Sequence, residues 1–502
     1  MMKFRKQSHI DGPQEHDEIL FSTPFDYLFP DLARSPECLL PEGEQTVSAL
    51  KELGKLMADP GDAGAPNEQL DSSVPAAYTY LGQFIDHDIT ARTDRNGPVS
   101  TIGEAETIEP VDPDVIVRDL RNGRRAVLDL DSVFGDGPGL AGTHLPSTTQ
   151  SSDLYDEELT LRMFDDGRGR VDLPRHDRKA IIADMRNDEN VLVSQLHTAF
   201  LKLYNETYAR QTGTQRERHI RARQLTRWAY QSVVANDYLT KVCDNGVALD
   251  TLANGPRFLG PSTGRTANFM PLEFSVAAFR FGHSMIRPFY ELNSKSDKVD
   301  LLALLGTSGN AENFDADGQL TKARIVDWRR FVGRGSKVQH ARKVDTKIAR
   351  GLFTLPGDTG GDPVLAHLAQ RNLLRGFSLS IPTGQAVADA FGISPLGASE
   401  LKKGETREIA TLLSDSGFDQ RTPLWYYVLR EAAIQQGGEV LGEVGSRVVC
   451  ETIVGLLKQD PNSYLANAHD PAINDRGVDV APGRGGRIND LADLLRFAAI
   501  GF

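Results

Sequence analysis

Apolar residues recur at helical spacing through most of the patterned parts of this chain. Val47, Leu50, Leu53 and Leu56 predict a helix over Gln45 to Ala58. From Asp188 onward Leu192, Leu196, Ala199, Leu203 and Tyr204 make one stripe up to the neighbourhood of Gln211, and a second long helix is expected from about Gln215 to Val242. Phe274, Ala277, Ala278 and Phe281 mark a third segment, Glu273 to Ile286, with His283 near its end. Further helices are expected at 363–376, 384–391, 423–436, 439–458 and 488–499. Strand patterns are scarce, and there is no internal repeat or low-complexity tract. Residues 1 to about 40, with Pro13, Pro24, Pro30 and Pro36, read as an irregular arm. A loop from Pro60 to Pro66 follows, and residues 91 to 180, rich in Gly, Pro and Asp, read as mostly loop. The expected fold class is mainly α: a large single helical unit with long loops and little β. Residues 1–70 would form an arm and one helix, and residues 71–502 the main domain.

One stretch breaks the apolar pattern in an unusual way. In Tyr80-Leu-Gly-Gln83-Phe-Ile-Asp86-His87-Asp88-Ile-Thr90 an amide, a histidine and two carboxylates interrupt an apolar run within six residues. On a helix successive side chains are about 100° apart, so Asp86, His87 and Asp88 point three ways while Gln83 sits one turn below His87. Such a triplet is either a solvated helix end or an element that addresses several sites at once.

Two further segments carry candidate chemistry. Ala183-Asp-Met-Arg186-Asn-Asp188-Glu189-Asn190 places a guanidinium and a carboxylate three residues apart at a helix start, ahead of His197-Thr198. Taken alone, that is also the composition of a helix N-terminus. Phe279-Arg280-Phe-Gly282-His283 sets a histidine in an apolar segment beside a glycine, which removes a side chain where a flat ligand could approach. Alone, the histidine reads equally as a satisfied core residue.

Composition narrows the field. The 502 residues are 40% hydrophobic and 25% charged, as in an ordinary soluble protein with a large core. A formal net charge of −13 argues against nucleic acid and anionic membrane surfaces as partners. Three cysteines, Cys38, Cys243 and Cys450, stand far apart and suit a reducing compartment, with no disulfide framework or thiolate zinc cluster. No apolar run is long enough for an integral membrane segment, and the first residues lack the apolar core of a signal peptide. A cytoplasmic location, or export without a classical signal peptide, is the expectation; the oligomeric state is open.

Together the segments resemble the animal-type haem peroxidases of the peroxidase-cyclooxygenase superfamily, a group that includes myeloperoxidase and lactoperoxidase. The resemblance runs over roughly residues 75 to 465, with four motifs in the family's order. Gly82-Gln83-x-x-Asp86-His87-Asp88 is similar to the distal haem motif, and Asp184-x-Arg186-x-x-Glu189 to the catalytic arginine segment. Arg280-Phe-Gly-His283 is similar to the proximal segment, and Arg371-Asn372-Leu-Leu-Arg375-Gly to the helix that supports it.

The resemblance implies a haem peroxidase that reduces hydrogen peroxide to water, in keeping with a response to oxidative stress, while oxidising small donors such as halide, thiocyanate or phenols. It implies haem b held by iron through His283, with Asn372 accepting from the other ring nitrogen and Arg280 pairing a propionate. His87 would move the peroxide proton, Arg186 would stabilise developing charge, and Gln83 would order a water or anion. Asp86 and Glu189 match the carboxylates that esterify haem in several members. Asn190 stands where myeloperoxidase has the methionine of a third link, so chloride oxidation is not expected. A calcium site is implied at Asp88, the carbonyls of Arg125 and Val127, and the side chains of Asp129 and Asp131; alternating Asp129-Leu-Asp131 is expected to be extended, with both carboxylates on one side. Two other readings stay open: a haem-dependent fatty-acid dioxygenase of the same superfamily, and a non-catalytic haem- and calcium-binding adhesion module. Three residues before His283 the dioxygenases carry a tyrosine, and this chain has Arg280.

Overall fold

The computed structural model of the protein describes residues 23–59, 69–91, 108–135, 137–138, 153–260, 268–296, 298–333, 335, 337–355 and 363–501. The first half of the proposed arm, the loop from Pro60 to Pro66 and Asp136 lie outside the described residues.

The chain is mainly helical, and the sheets among the described residues have two or three strands each. The elements that matter for function are β1 (Thr23–Asp26), α1 (Glu44–Leu56), β2 (Asp71–Pro75), α2 (Ala77–Ile89), β3 (Arg121–Asn122), α3 (Val191–Ala209), α4 (Gln215–Ser232), β4 (Met270–Pro271), β5 (His340–Arg342), α5 (Leu368–Ser378), α6 (Leu424–Gln435) and α7 (Glu443–Gln459). β1 lies between β3 and β4, antiparallel to the first with Thr23 opposite Asn122 and parallel to the second with Phe25 opposite Met270. β2 pairs antiparallel with β5, Arg342 opposite Asp71. Among the described residues one hydrophobic cluster runs from Phe25 to Ile500 and takes in residues on both sides of α2.

Within that core α1 packs on α5, α2 on α3, and α6 on α7. α3 is buried on nearly every side, and its first turn is closed by Asn190, whose side chain accepts from the Val193 N–H at 2.8 Å. α4 opens on a reciprocal cap between Thr214 and Glu217, the pattern that ends orphan N–H groups at a helix start. No helix among the described residues is long and apolar enough to cross a membrane.

Most expected helices are present, and the departures have local causes. The long helix expected at 215–242 is continuous, but Val233–Tyr238 is a wider π turn, which shifts the phase of the side chains after it. The helix expected at 363–376 is interrupted at His367, whose ring nitrogen caps the restarted helix from Gln370 N. The segment expected to be helical from Glu273 to Ile286 is instead a π turn at Glu273–Ala277 followed by a 3-10 turn at Ala278–His283, with a break at Ala277 (φ −125°, ψ −74°). One side-chain bond competes with the regular ladder there, Arg280 Nε donating to Ser275 O at 3.0 Å, while the Glu273 carboxylate ties the start of the segment to the Leu28 and Phe29 N–H groups at 2.7 and 3.0 Å.

Candidate active site

One interior cavity of about 320 Å³ collects residues from α2, the Met185–Asp188 turn, the Ala278–His283 turn and α5. Gln83, Asp86, His87, Arg186, Glu189, Arg280 and His283 all line it. Asp88 does not, because one residue step rotates it off that face of α2, as the helical arithmetic requires. Asn372 stands behind His283 rather than in the cavity.

Each ring has a fixed setting. His87 Nδ1 lies 2.9 Å from Asn187 Oδ1, and the Asn187 Nδ2 group lies 2.9 Å from His197 Nδ1. An amide oxygen only accepts, so with the Asn187 amide in this orientation His87 carries its proton on Nδ1 and presents the Nε2 lone pair. Glu189 Oε2 is 3.9 Å from that Nε2. Burial, then Arg186, hold the His87 pKa below its usual value, while burial pushes His197 down to about 3, which keeps it a neutral acceptor for the amide.

Arg186 is anchored from two sides. Its Nη2 donates to His87 O and to Asp184 Oδ2, each at 2.7 Å, and its Nε to Asp184 Oδ1 at 3.1 Å. Gln83 Oε1 accepts from Asn190 Nδ2 at 3.0 Å, so Asn190 orients the amide one turn from His87.

Across the cavity His283 Nδ1 lies 2.8 Å from Asn372, and the amide nitrogen, not the oxygen, faces the ring. In this arrangement Asn372 donates, the reverse of the expected acceptor role; a half-turn of the amide exchanges the two atoms. Burial, reinforced by Arg280 and Arg371, holds His283 well below its ordinary pKa, so the imidazole is neutral as a metal ligand must be. A Cβ built on Gly282 would meet nothing within 4 Å, so the backbone beside His283 faces open space. By contrast a Cβ on Gly82 would come within 2.5 Å of the Tyr238 hydroxyl, so that glycine lets Tyr238 reach the cavity wall.

The motif reading assigned no role to several residues that belong here. Arg371, quoted within its motif, lines the cavity beside Arg280, and burial lowers both guanidinium pKa values, Arg371 to about 10. Asp86 and Glu189, in the same wall, partly offset these two half-buried cations. Tyr80 and Tyr238 also line it. Trp425 stands edge-on to the His283 ring at 6.4 Å and donates to Arg280 O at 3.1 Å. Asn187 could have been suspected from its place between Arg186 and Glu189, but only contacts across 100 residues show what it holds.

On the other face of α2, Asp88, Asp129 and Asp131 bring carboxylate oxygens within 4.8 Å of one another, all buried. The loop is not extended, as the alternation suggested: Leu130 takes the left-handed conformation (φ 57°) and Asp131 begins a short helix, Asp131–Phe134. That kink lets Leu130 N and Ser132 Oγ donate to Asp88 at 3.2 Å each and turns both loop carboxylates inward. The Arg125 and Val127 carbonyls accept from Val127 N and Asp129 N in two successive tight turns. Burial, then Asp131 and Asp129, raise Asp88 well above the carboxylate range, against the opposing effects of the Leu130 N–H and Arg124. Arg124, fully buried, pairs with Asp131 at 3.2 Å and with Asp184, which joins this cluster to the carboxylate that holds Arg186.

A profile of the animal haem peroxidase domain matches residues 118–400. Among solved structures the fold is similar to peroxidase A from Dictyostelium discoideum, at 14% identity over 96% of this chain and 94% of that one, with a TM-score of 0.61. It is also similar to the fatty acid alpha-dioxygenases of Arabidopsis thaliana (14% identity, 95% and 74% covered, TM-score 0.59) and Oryza sativa (14%, 95% and 78%, TM-score 0.57). At such identities the likeness is one of fold. A search of curated protein sequences finds no match.

Proposed function

This chain belongs to the animal haem peroxidase family, and from that membership we propose that it reduces hydrogen peroxide to water while oxidising small donors. The observation that carries the proposal is the pairing of two neutral imidazoles across one cavity, with the His87 Nε2 lone pair left available by the bond from Nδ1 to Asn187.

The family binds haem, and the donor set fits it: a neutral His283, open space at Gly282, and two half-buried arginines for the propionates. When bound, haem b supplies the iron at which peroxide coordinates and the oxidising equivalents that donors consume. His283 would ligate through Nε2; the ring proton then sits on Nδ1 and Asn372 turns to accept it. Arg280 and Arg371 would each pair a propionate. His87 takes a proton from peroxide at Nε2 and returns it to the departing oxygen as water. Arg186, held by Asp184 and His87 O, faces the negative charge that develops as the oxygen–oxygen bond lengthens. Gln83, fixed by Asn190, holds a water or small anion beside His87.

Asp86 and Glu189 supply carboxylates for ester links to haem. With Asn190 in place of a methionine, bromide, iodide, thiocyanate and phenols are the proposed donors rather than chloride. The carboxylate cluster of Asp88, Asp129 and Asp131, with the Arg125 and Val127 carbonyls, supplies the hard oxygen ligands that calcium takes.

A fatty-acid dioxygenase is the second reading, favoured by the fold likeness and by Tyr80 and Tyr238 in the cavity wall. Against it stands Arg280 at the position three residues before His283, where a guanidinium has no phenolic hydroxyl to oxidise. An optical spectrum separates the readings. A Soret band that shifts on adding peroxide and returns with iodide, and that is lost in His283→Ala, supports the peroxidase; regiospecific oxygen uptake with fatty acids and no peroxide turnover supports the dioxygenase.

A further inference from the structure

Four charges of alternating sign, three of them buried, connect the carboxylate cluster to the haem cavity. Asp131 Oδ1 accepts from Arg124 Nη1 at 3.2 Å, Arg124 Nη2 donates to Asp184 Oδ2, and the same Oδ2 accepts from Arg186 Nη2 at 2.7 Å. The Asp131 side chain is 1% exposed and those of Arg124 and Asp184 are 0% exposed. Charges taken out of water are costly unless each keeps a partner, so a change in the hold on one member passes to the next. Arg124 belongs neither to the three-carboxylate group nor to the cavity lining. Its guanidinium, a fork with donors on both arms, spans the two carboxylates between them.

The two oxygens of Asp184 do different work. Oδ1 accepts the Arg186 backbone N–H at 3.0 Å and Arg186 Nε at 3.1 Å, which fixes where the arginine stands. Oδ2 is shared between two guanidinium groups, so the more firmly Arg124 holds it, the less of its charge engages Arg186 Nη2. The position of Arg186 and the availability of its outer donor are therefore set separately.

We propose that Arg124 is a positioning residue for Arg186, linking calcium at the Asp88, Asp129 and Asp131 site to the charge that Arg186 offers in the haem cavity. The proposal rests on the calcium and peroxidase readings above. A divalent cation that takes an oxygen of Asp131 weakens the hold of that carboxylate on Arg124. Arg124 Nη2 then binds Asp184 Oδ2 more strongly, and Oδ2 holds Arg186 Nη2 less, which leaves this donor for the negative charge that develops on peroxide. By linkage the effect also runs backwards: without the Arg186 side chain Asp184 turns to Arg124, Arg124 releases Asp131, and calcium binds more tightly. Asp88 offers a competing route, since it neighbours His87 on α2, and that route does not pass through Arg124.

The test is a cycle of calcium affinities, measured by calorimetry on the haem-loaded protein in the wild type, Arg186→Ala, Arg124→Met and the double variant. Arg186→Ala should bind calcium about fivefold more tightly than the wild type. In the Arg124→Met background the same substitution should change the affinity by less than about twofold. Calcium itself neutralises Asp131 in Arg124→Met, and Arg124→Gln, uncharged but still a donor to one carboxylate, is the companion variant should the first fail to fold. In stopped flow, saturating calcium should raise the rate with peroxide about fivefold over chelator in the wild type and by less than about twofold in either Arg124 variant. Equal calcium effects with and without Arg124, in the cycle or in the rate, would overturn the proposal and assign the influence to α2. No calcium binding in the wild type would overturn the calcium reading and this proposal with it. The expected cycle without any spectral response to peroxide would support the link and overturn the peroxidase reading instead.

Discussion

His87 and Asn187 are one hundred residues apart in sequence and joined by a 2.9 Å hydrogen bond from the imidazole Nδ1 to the amide Oδ1. His197 completes the line by accepting from the same amide at 2.9 Å. The amide can satisfy both rings in this sense only while His197 is neutral, and its burial, which lowers its pKa to about 3, ensures that. Asn187 therefore sets which nitrogen of His87 is the base.

Replacing Asn187 by Leu should leave haem binding intact and slow the reaction with peroxide by about tenfold or more, since the wrong tautomer of His87 cannot take the proton. Asn187→Asp, which still accepts from Nδ1, should recover most of the rate. Stopped-flow absorbance reads both; equal loss in the two variants would argue for a purely structural asparagine.

For the pair that faces peroxide, His87→Ala and Arg186→Ala should each keep the Soret band and lose on the order of a hundredfold in the same rate. A wild-type rate in either would remove its assigned role. Asp184→Ala should mimic part of the Arg186 loss, because Asp184 accepts from both Nε and Nη2 of that arginine.

After exposure to peroxide, a fraction of the haem should resist acid-acetone extraction, with a mass increase on the peptides that carry Asp86 and Glu189. Asp86→Asn and Glu189→Gln should each release it in part. Haem that extracts completely after many turnovers would exclude ester links.

Chelation of calcium should lower the thermal midpoint, because a cation bound at the three-carboxylate cluster offsets the burial and the like charges of Asp131 and Asp129 that raise Asp88. At calcium about a hundredfold above its dissociation constant the stabilisation is about 2.7 kcal/mol. Asp131→Asn should abolish the calcium-dependent shift, and it should also loosen Arg124, which links this cluster to Asp184. A midpoint indifferent to calcium and chelator would refute the site.

Glu431 accepts the Val444 and Gly445 N–H groups at the start of α7, 3.0 Å each, while burial pushes its pKa up to about 7 from 4.5. The folded state thus holds a proton that the unfolded chain has released, so stability is greatest below pH 4.5 on account of this group and is lost as pH rises toward 7. Glu431→Gln cannot titrate: its thermal midpoint should be lower overall, since an NH₂ group meets a backbone N–H, and should decline less between pH 5 and 8 than that of the wild type.

What the sequence alone determined is what short-range physics governs. The helix at Gly384–Phe391 has its expected bounds because Thr383 caps one end and Gly392, at φ 74°, closes the other. α3 follows its stripe of apolar residues from a cap at Asn190, and the residue types of the four motifs were legible with their order. Gln83, Asp86, His87, Arg186, Glu189, Arg280 and His283 line one cavity. Only the tertiary structure decided how they are held. The tautomer of His87 depends on an amide from another element, the broken turn around Ala277 on Glu273 reaching back to Leu28, and the inward kink at Leu130 on Asp88 of α2. The edge-to-face ring contact of Tyr80 and Tyr290 likewise joins distant segments. Periodicity and capping act over a few residues and can be read along the chain, whereas a hydrogen bond or ring contact between distant segments exists only once burial of the whole core has fixed where each backbone runs.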